Sequence, residues 1–146
     1  MKIKRDKLMN LGELISYGIE QGWESHQAVS EKGVDVYFSS DGKLMLWEGS
    51  IDLDDVFVLE GVVEEITRDT PLFEPYVVEI EDGELRTDIY LNHRTINELT
   101  DRETDKYQVL HIYLKTKDGG LQRVWSKDAG IPKDGMAEIY YENDID

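Results

Sequence analysis

The stretch YVVEIEDGELRTDIYL, residues 76–91, constrains the fold more tightly than any other part of the chain. Two alternating runs flank Asp82-Gly83, and Asp-Gly tolerates the positive φ that a two-residue hairpin turn demands at both positions. Pairing outward from that turn sets Ile80 opposite Leu85, Val78 opposite Thr87 and Tyr76 opposite Ile89. This apolar set is expected to face a core. The other face sets Glu79 opposite Arg86, an opposite-charge cross-strand pair, and Glu81 opposite Glu84. A slip of one residue would exchange the two faces, so the register is well determined.

Two more Asp-Gly dipeptides punctuate similar runs. In GVDVYFSSDGKLMLWEG a two-residue turn at Asp41-Gly42 predicts Phe38 opposite Met45 and Val36 opposite Trp47. In YQVLHIYLKTKDGGLQRVWS a turn over 118–120 predicts Leu114 opposite Val124, but also Lys115 opposite Arg123, a like-charge contact that argues against that register.

Helical spacing appears in two places. Asn10 and Glu13 have capping-box spacing. Leu11, Leu14, Ile15 and Ile19 follow on one helical face, and Gly22 stands where a left-handed residue ends a helix, giving a helix over about 11–21. Met9 and Leu14 are spaced as a hydrophobic staple, and Trp23 is expected to pack back on Tyr17. Thr95 and Glu98 repeat the capping spacing before a short helix over about 96–101.

Residues 56–66 read as one long strand, with Phe57, Leu59 and Val63 on one side and Val56, Val58 and Val62 on the other. Gly61 marks a bulge within it. The predicted fold is α+β: an N-terminal helix packed on a mainly antiparallel, hairpin-built twisted sheet, with a second short helix. At 146 residues the chain is expected to form a single domain, with a basic N-terminal segment at 1–9 and an acidic tail at 142–146. Hydrophobic content of 40% argues against disorder.

Charge is distributed unevenly. The net charge is −16, yet residues 1–9 carry Lys2, Lys4, Arg5 and Lys7 against Asp6 alone. Residues 48–84 hold thirteen acids and one base, Arg68. Such a field repels nucleic acid and anionic membranes and draws in basic surfaces. It also serves solubility. The basic start never becomes the apolar run of a signal peptide, and no run is long enough to span a bilayer, so a cytoplasmic protein is expected.

Chemistry-bearing motifs are sparse. The chain has no cysteine, which removes disulfides, thiolate zinc sites and a cysteine nucleophile. His26, His93 and His111 lack a second histidine at metal-binding spacing. Residues 52–55, DLDD, resemble part of a calcium loop, but Phe57 stands where such a loop needs glycine. Neither a phosphate-binding glycine loop nor a nucleophile elbow is present. The expectation is no catalytic residue, no metal and no cofactor. Of the tryptophans, Trp47 and Trp125 read as core, while Trp23, just past a helix end, is a candidate anchor.

Four stretches, LGELISYGIEQGW, VYFSSDGKLMLWEG, DDVFVLEGVVEEITRDT and HIYLKTKDGGLQRVWSKDAG, are spread between residues 11 and 130. In that order they resemble a loose class of small uncharacterised proteins encoded by phages and prophages of Gram-positive bacteria. The resemblance implies a setting, the cytoplasm of a bacterial host, and an accessory or anti-defence role; it implies no catalytic residues. The expected function is therefore a non-enzymatic acidic inhibitor of a basic, nucleic-acid-binding host protein, such as a nuclease or DNA-binding complex. Anti-CRISPR action is one concrete form. The expected contact residues are Asp52, Asp54, Asp55, Glu60, Glu64, Glu65 and Asp69, with Trp23. The alternative is a protein that binds or sequesters a small molecule or nucleotide signal through basic residues such as Arg94, Arg102 or Arg123.

Overall fold

The computed structural model describes residues 1–22, 27–46 and 48–139. Trp23, Trp47 and the acidic tail lie outside the described residues. In chain order the elements are β1 (Lys2–Asn10), α1 (Leu11–Glu20), β2 (Gln27–Ser30), β3 (Asp35–Phe38), β4 (Leu44–Leu46), β5 (Val56–Glu65) and β6 (Leu72–Phe73). They continue with β7 (Tyr76–Glu81), β8 (Glu84–Ile89), β9 (His93–Arg94), α2 (Ile96–Thr100), β10 (Tyr107–Lys115), β11 (Leu121–Ser126) and β12 (Met136–Glu138). The fold is mixed and mostly sheet: of the described residues, 50% are strand and 11% helix. The first element corrects the expectation of an N-terminal helix. The basic segment is a strand whose Ile3 and Arg5 are buried on one face, and its partner β12 lies at the far end of the sequence.

Two compact units are present, and their boundaries fall inside β1 and β5. One comprises Arg5–Val62. Its strands lie in the order β1-β5-β2-β3-β4, and α1 packs on them through a core of Met9, Leu14, Ala28, Val36, Phe38, Phe57, Leu59 and Val62. The capping box forms as expected: Asn10 Oδ1 accepts from Glu13 N at 2.8 Å and Glu13 Oε1 from Asn10 N at 3.2 Å. Gly22 ends the helix at φ 71°. The buried face differs from the predicted one. Leu14 and Gly18 are buried, whereas Ile15 and Ile19 are 36% and 59% exposed. Gly18 is the point of closest approach: a Cβ there would lie 2.7 Å from the Phe38 ring. A count of apolar side chains misses a contact made by a residue without one.

β5 also departs from the expected alternation. Gly61 takes φ 64°, Asp6 Oδ1 accepts its N–H at 2.8 Å, and the inward–outward alternation of the strand changes phase there. Phe57, Leu59 and then Val62 point into the core, while Val63 is 45% exposed.

The second unit comprises Met1–Lys4 with residues 63–139. β12 runs parallel to the start of β1, β6 pairs with β9, and four strands form a sheet in the order β11-β10-β7-β8. Its core includes Ile66, Leu72, Val77, Val109, Ile112, Leu114, Val124 and Trp125, closed by Ile96 and Leu99 of α2. Thr95 caps α2 by accepting from Glu98 N at 3.1 Å. Arg68 holds the same helix by donating to Asn97 Oδ1 and Thr100 Oγ1, both at 2.8 Å.

The β7–β8 register is the predicted one at all six pairs, with Asp82 at φ 50° and Gly83 at φ 83° in the turn. Its faces are reversed, however. Val77 and Glu79 are buried, while Leu85 and Ile89 are 67% and 54% exposed. The other two Asp-Gly hairpins differ from the predicted registers: the loop at 40–42 has three residues instead of the predicted two, and the three-residue loop predicted at 118–120 lies one residue earlier, at 117–119. Val36 pairs with Leu46 and Phe38 with Leu44; Leu114 pairs with Gln122 and Lys115 with Leu121. The like-charge contact of Lys115 with Arg123 is thereby avoided.

One local device explains these loops. Ser30, Ser39 and Thr116 each open a loop whose third residue, Gly33, Gly42 or Gly119, has φ between 84° and 90°. Each glycine donates its N–H back to the opening residue's carbonyl at 2.9–3.1 Å. The Ser30 and Ser39 hydroxyls each accept the closing N–H at 3.1 Å, and Thr116 Oγ1 donates to Gly120 O at 3.3 Å. This is a turn followed by a left-handed glycine. Before Asp82-Gly83 the equivalent place is held by Ile80, which has no hydroxyl to offer, and the two-residue turn forms.

Candidate protein-binding surface

The acidic stretch is divided by the unit boundary. Asp52, Asp54, Asp55 and Glu60 belong to one unit, and Glu64, Glu65 and Asp69 to the other.

In the first unit, residues 51–55 form a braced loop. Asp55 is 8% exposed and turns inward. Its Oδ2 accepts from Asp52 N at 2.8 Å, and its Oδ1 lies 3.0 Å from Lys32 Nζ. The same ammonium contacts Asp52 Oδ2. The Asp52 N–H, followed by Lys32, holds the Asp55 carboxyl below its ordinary range. Hydrogen bonds to Asp52 and then Asp55 push the Lys32 ammonium above its own. The carboxylates of Asp52, Asp54 and Asp55 lie within 4.8 Å of one another. A metal would have to compete with the Lys32 ammonium already seated between two of them.

Bracing the loop this way leaves its tip outward. Leu53, between Asp52 and Asp54, is 88% exposed. Among the described residues, Asp54 and Glu60 are exposed and have no ion-pair partner. Leu53 was not singled out by sequence reasoning. Its signal was a lone leucine among aspartates on a segment with no alternation to bury it.

In the second unit, Glu65 lies 3.6 Å from the Met1 amine and is 64% exposed. Asp69 accepts from Asn97 Nδ2 at 2.7 Å, and Glu64 is half-buried. Arg68, the single base of residues 48–84, donates to neutral oxygens and stands 5.9 Å from the centre of the Trp125 ring. The acids of this stretch meet bases from elsewhere in the sequence instead: Lys32 contacts Asp52 and Asp55, the Met1 amine Glu65, and Arg86 Glu79 and Glu81. Trp23 lies outside the described residues.

The Glu79 carboxylate is fully internal; its Oε1 accepts from Arg86 Nε at 3.0 Å, and its Oε2 from Tyr107 Oη and from Tyr90 Oη at 3.4 Å. Burial, followed by Asp88, pushes its pKa up. Burial, followed by Glu79, pushes the Tyr107 phenol above its ordinary range. Both oxygens have partners, so the group ties β7, β8 and β10 together. Its partners are distant in sequence, and only Arg86 was predicted.

The basic residues considered for an anionic ligand serve separate places. Arg94 donates to His93 O at 3.0 Å, Arg102 stands 5.7 Å from the Tyr90 ring centre, and Arg123 pairs across from Tyr113. Among the described residues no helix is long and apolar enough to cross a membrane. No protein-family model matches the chain, and no curated protein is significantly similar to it.

Proposed function

We propose that this is a non-enzymatic phage or prophage accessory protein. It binds a basic, nucleic-acid-binding protein of the bacterial host cytoplasm and inhibits it by occupying the place of the phosphates. Anti-CRISPR action is one form of this role. The observation that carries the reading is the braced tip at residues 51–55. An apolar side chain, Leu53, is held 88% exposed between carboxylates, with Asp55 and Lys32 fixing the loop beneath it. Carboxylates speed the encounter with a cationic surface, while a buried anchor sets the lifetime of the complex. Rigidity lowers the ordering cost of binding.

Affinity capture from host lysate at low and high salt tests this. The expected ligand is a basic protein, retained at low salt and displaced by nucleic acid. Truncating the anchor with Leu53→Ser weakens retention by ~10–100-fold if the leucine is buried in the complex. Retention that ignores both salt and competing nucleic acid contradicts the proposal.

A further inference from the structure

The outer face of the β11-β10-β7-β8 sheet is unlike the rest of this acidic chain. The observed registers place Tyr76, Val78 and Ile80 of β7 beside Ile89, Thr87 and Leu85 of β8. On the other side they lie beside Tyr113, His111 and Gln108 of β10. Arg123 and Leu121 of β11 extend the face beside Tyr113 and Lys115. None of these twelve positions is acidic in a chain with 32 acids. Tyrosine, aliphatic residues and arginine without carboxylates form the composition of an interface centre. On the edge strands Leu85 is 67%, Ile89 54% and Leu121 55% exposed, and Tyr76, Val78, Ile80, Gln108, His111 and Tyr113 on the central strands are half-buried.

The face is also polarised. Lys115 and Arg123 stand at the end where β10 meets β11. Asp82, Glu84 and Asp105 stand at the opposite end, where Asp82 N donates to Lys106 O at 2.9 Å. A two-fold axis lying in the face and across the strands sets the acidic end of one copy over the basic end of another. Self-complementarity of this kind is what an isologous interface requires. Strands about 4.8 Å apart, rising about 3.3 Å per residue over the eight residues from Gln108 to Lys115, give a face roughly 19 Å by 26 Å. With side-chain relief, a stacked pair would bury on the order of 1,300 Å², at the lower end of a standard stable interface.

We infer that this face is the contact between two copies of the chain, stacked sheet on sheet. This inference is independent of the proposed host partner, which engages a different surface. The overall charge of −16 opposes pairing, so added salt strengthens the dimer by screening. The host-partner complex responds to salt in the opposite sense.

Sedimentation of the full chain from micromolar to millimolar concentration, at low and moderate salt, is the test. A monomer–dimer equilibrium that shifts toward dimer with salt is expected. The variant carrying Leu85→Lys and Ile89→Lys should weaken association by at least ~100-fold. Both side chains are exposed, so its far-UV circular dichroism should match the parent's, and its melting temperature should match at concentrations where the parent is monomeric. A parent that stays monomeric throughout, or a double variant that dimerises as well as the parent, overturns the inference.

Discussion

Replacing Gly18 with alanine sets two well-known effects against each other. Inside a helix, alanine is favoured over glycine by about 1 kcal/mol. Here the added Cβ would lie 2.7 Å from Phe38 Cε1 and 2.8 Å from Cζ, where ordinary contact begins at 3.4 Å. The helix and ring must therefore part by about 0.7 Å, the difference between those distances. Phe38 is 3% exposed and shares its core with Leu14 and Phe57, so the ring has little room to retreat. Overpacking of this kind costs about 1–3 kcal/mol. The net expectation is a loss of about 1 kcal/mol, and at most about 2. Urea unfolding followed by circular dichroism reads this as a lower midpoint at unchanged slope. The double variant Gly18→Ala with Phe38→Leu should lose less than the sum of the single losses, by about 1 kcal/mol, since the smaller side chain makes room. If Gly18→Ala instead stabilised the protein by the full helix-propensity gain, α1 would not rest on Phe38, and the packing described for this unit would be wrong.

Ser39→Ala removes the hydroxyl that accepts Lys43 N and should cost about 0.5–1.5 kcal/mol in the same assay; no change would mean that the hydroxyl does not select the three-residue loop. Gly83→Ala forces a side chain into the left-handed region at φ 83° and should cost about 1–2 kcal/mol, against little loss if the turn rearranges. Native Glu79 keeps its proton above its ordinary value of 4.5, from burial first and then Asp88. In that window the folded state binds more protons than the unfolded chain, so this group's contribution to stability falls as pH rises through the folded value. Glu79→Gln should remove that slope, and parallel stability–pH curves for parent and variant would refute the assignment. Asp55 behaves in the opposite sense: its pKa is held below 3.8 by the Asp52 N–H and then Lys32. Its contribution is present above 3.8 and is lost as pH falls through the lower folded value. Asp55→Asn should flatten this acid limb, and an unchanged acid midpoint would contradict the bracing role.

What the sequence reveals about this fold depends on how local each cause is. The Asp82-Gly83 register and both helix caps depend on neighbouring residues and are legible. The other hairpins are legible only with the hydroxyl two residues before the aspartate taken into account, because Ser39 opens a loop one residue longer than the two-residue turn and Thr116 opens its three-residue loop one position earlier than expected. The face of β7–β8 is a different case. Apolar count favours Val78 and Ile80 as the core side, but Glu79 goes inward because Tyr90, Tyr107 and Arg86 meet its oxygens there. Two of those partners come from beyond the hairpin. β1 reads as a charged segment for a similar reason, since its partner β12 lies more than a hundred residues away. Within the acidic stretch, composition cannot separate Asp55, which props the loop, from Asp54, which projects from it.

The central claim is that the braced acidic tip at residues 51–55 meets a cationic protein surface. Its most direct test is the association rate constant with the captured host protein, measured across ionic strength for the parent and for the variant carrying Asp54→Lys and Glu60→Lys. Both positions are exposed, so the fold is retained. The parent should associate faster as salt is lowered, and the variant should be slower at low salt with a shallower salt dependence, the two converging at high salt. Rates that coincide at every ionic strength would contradict the claim.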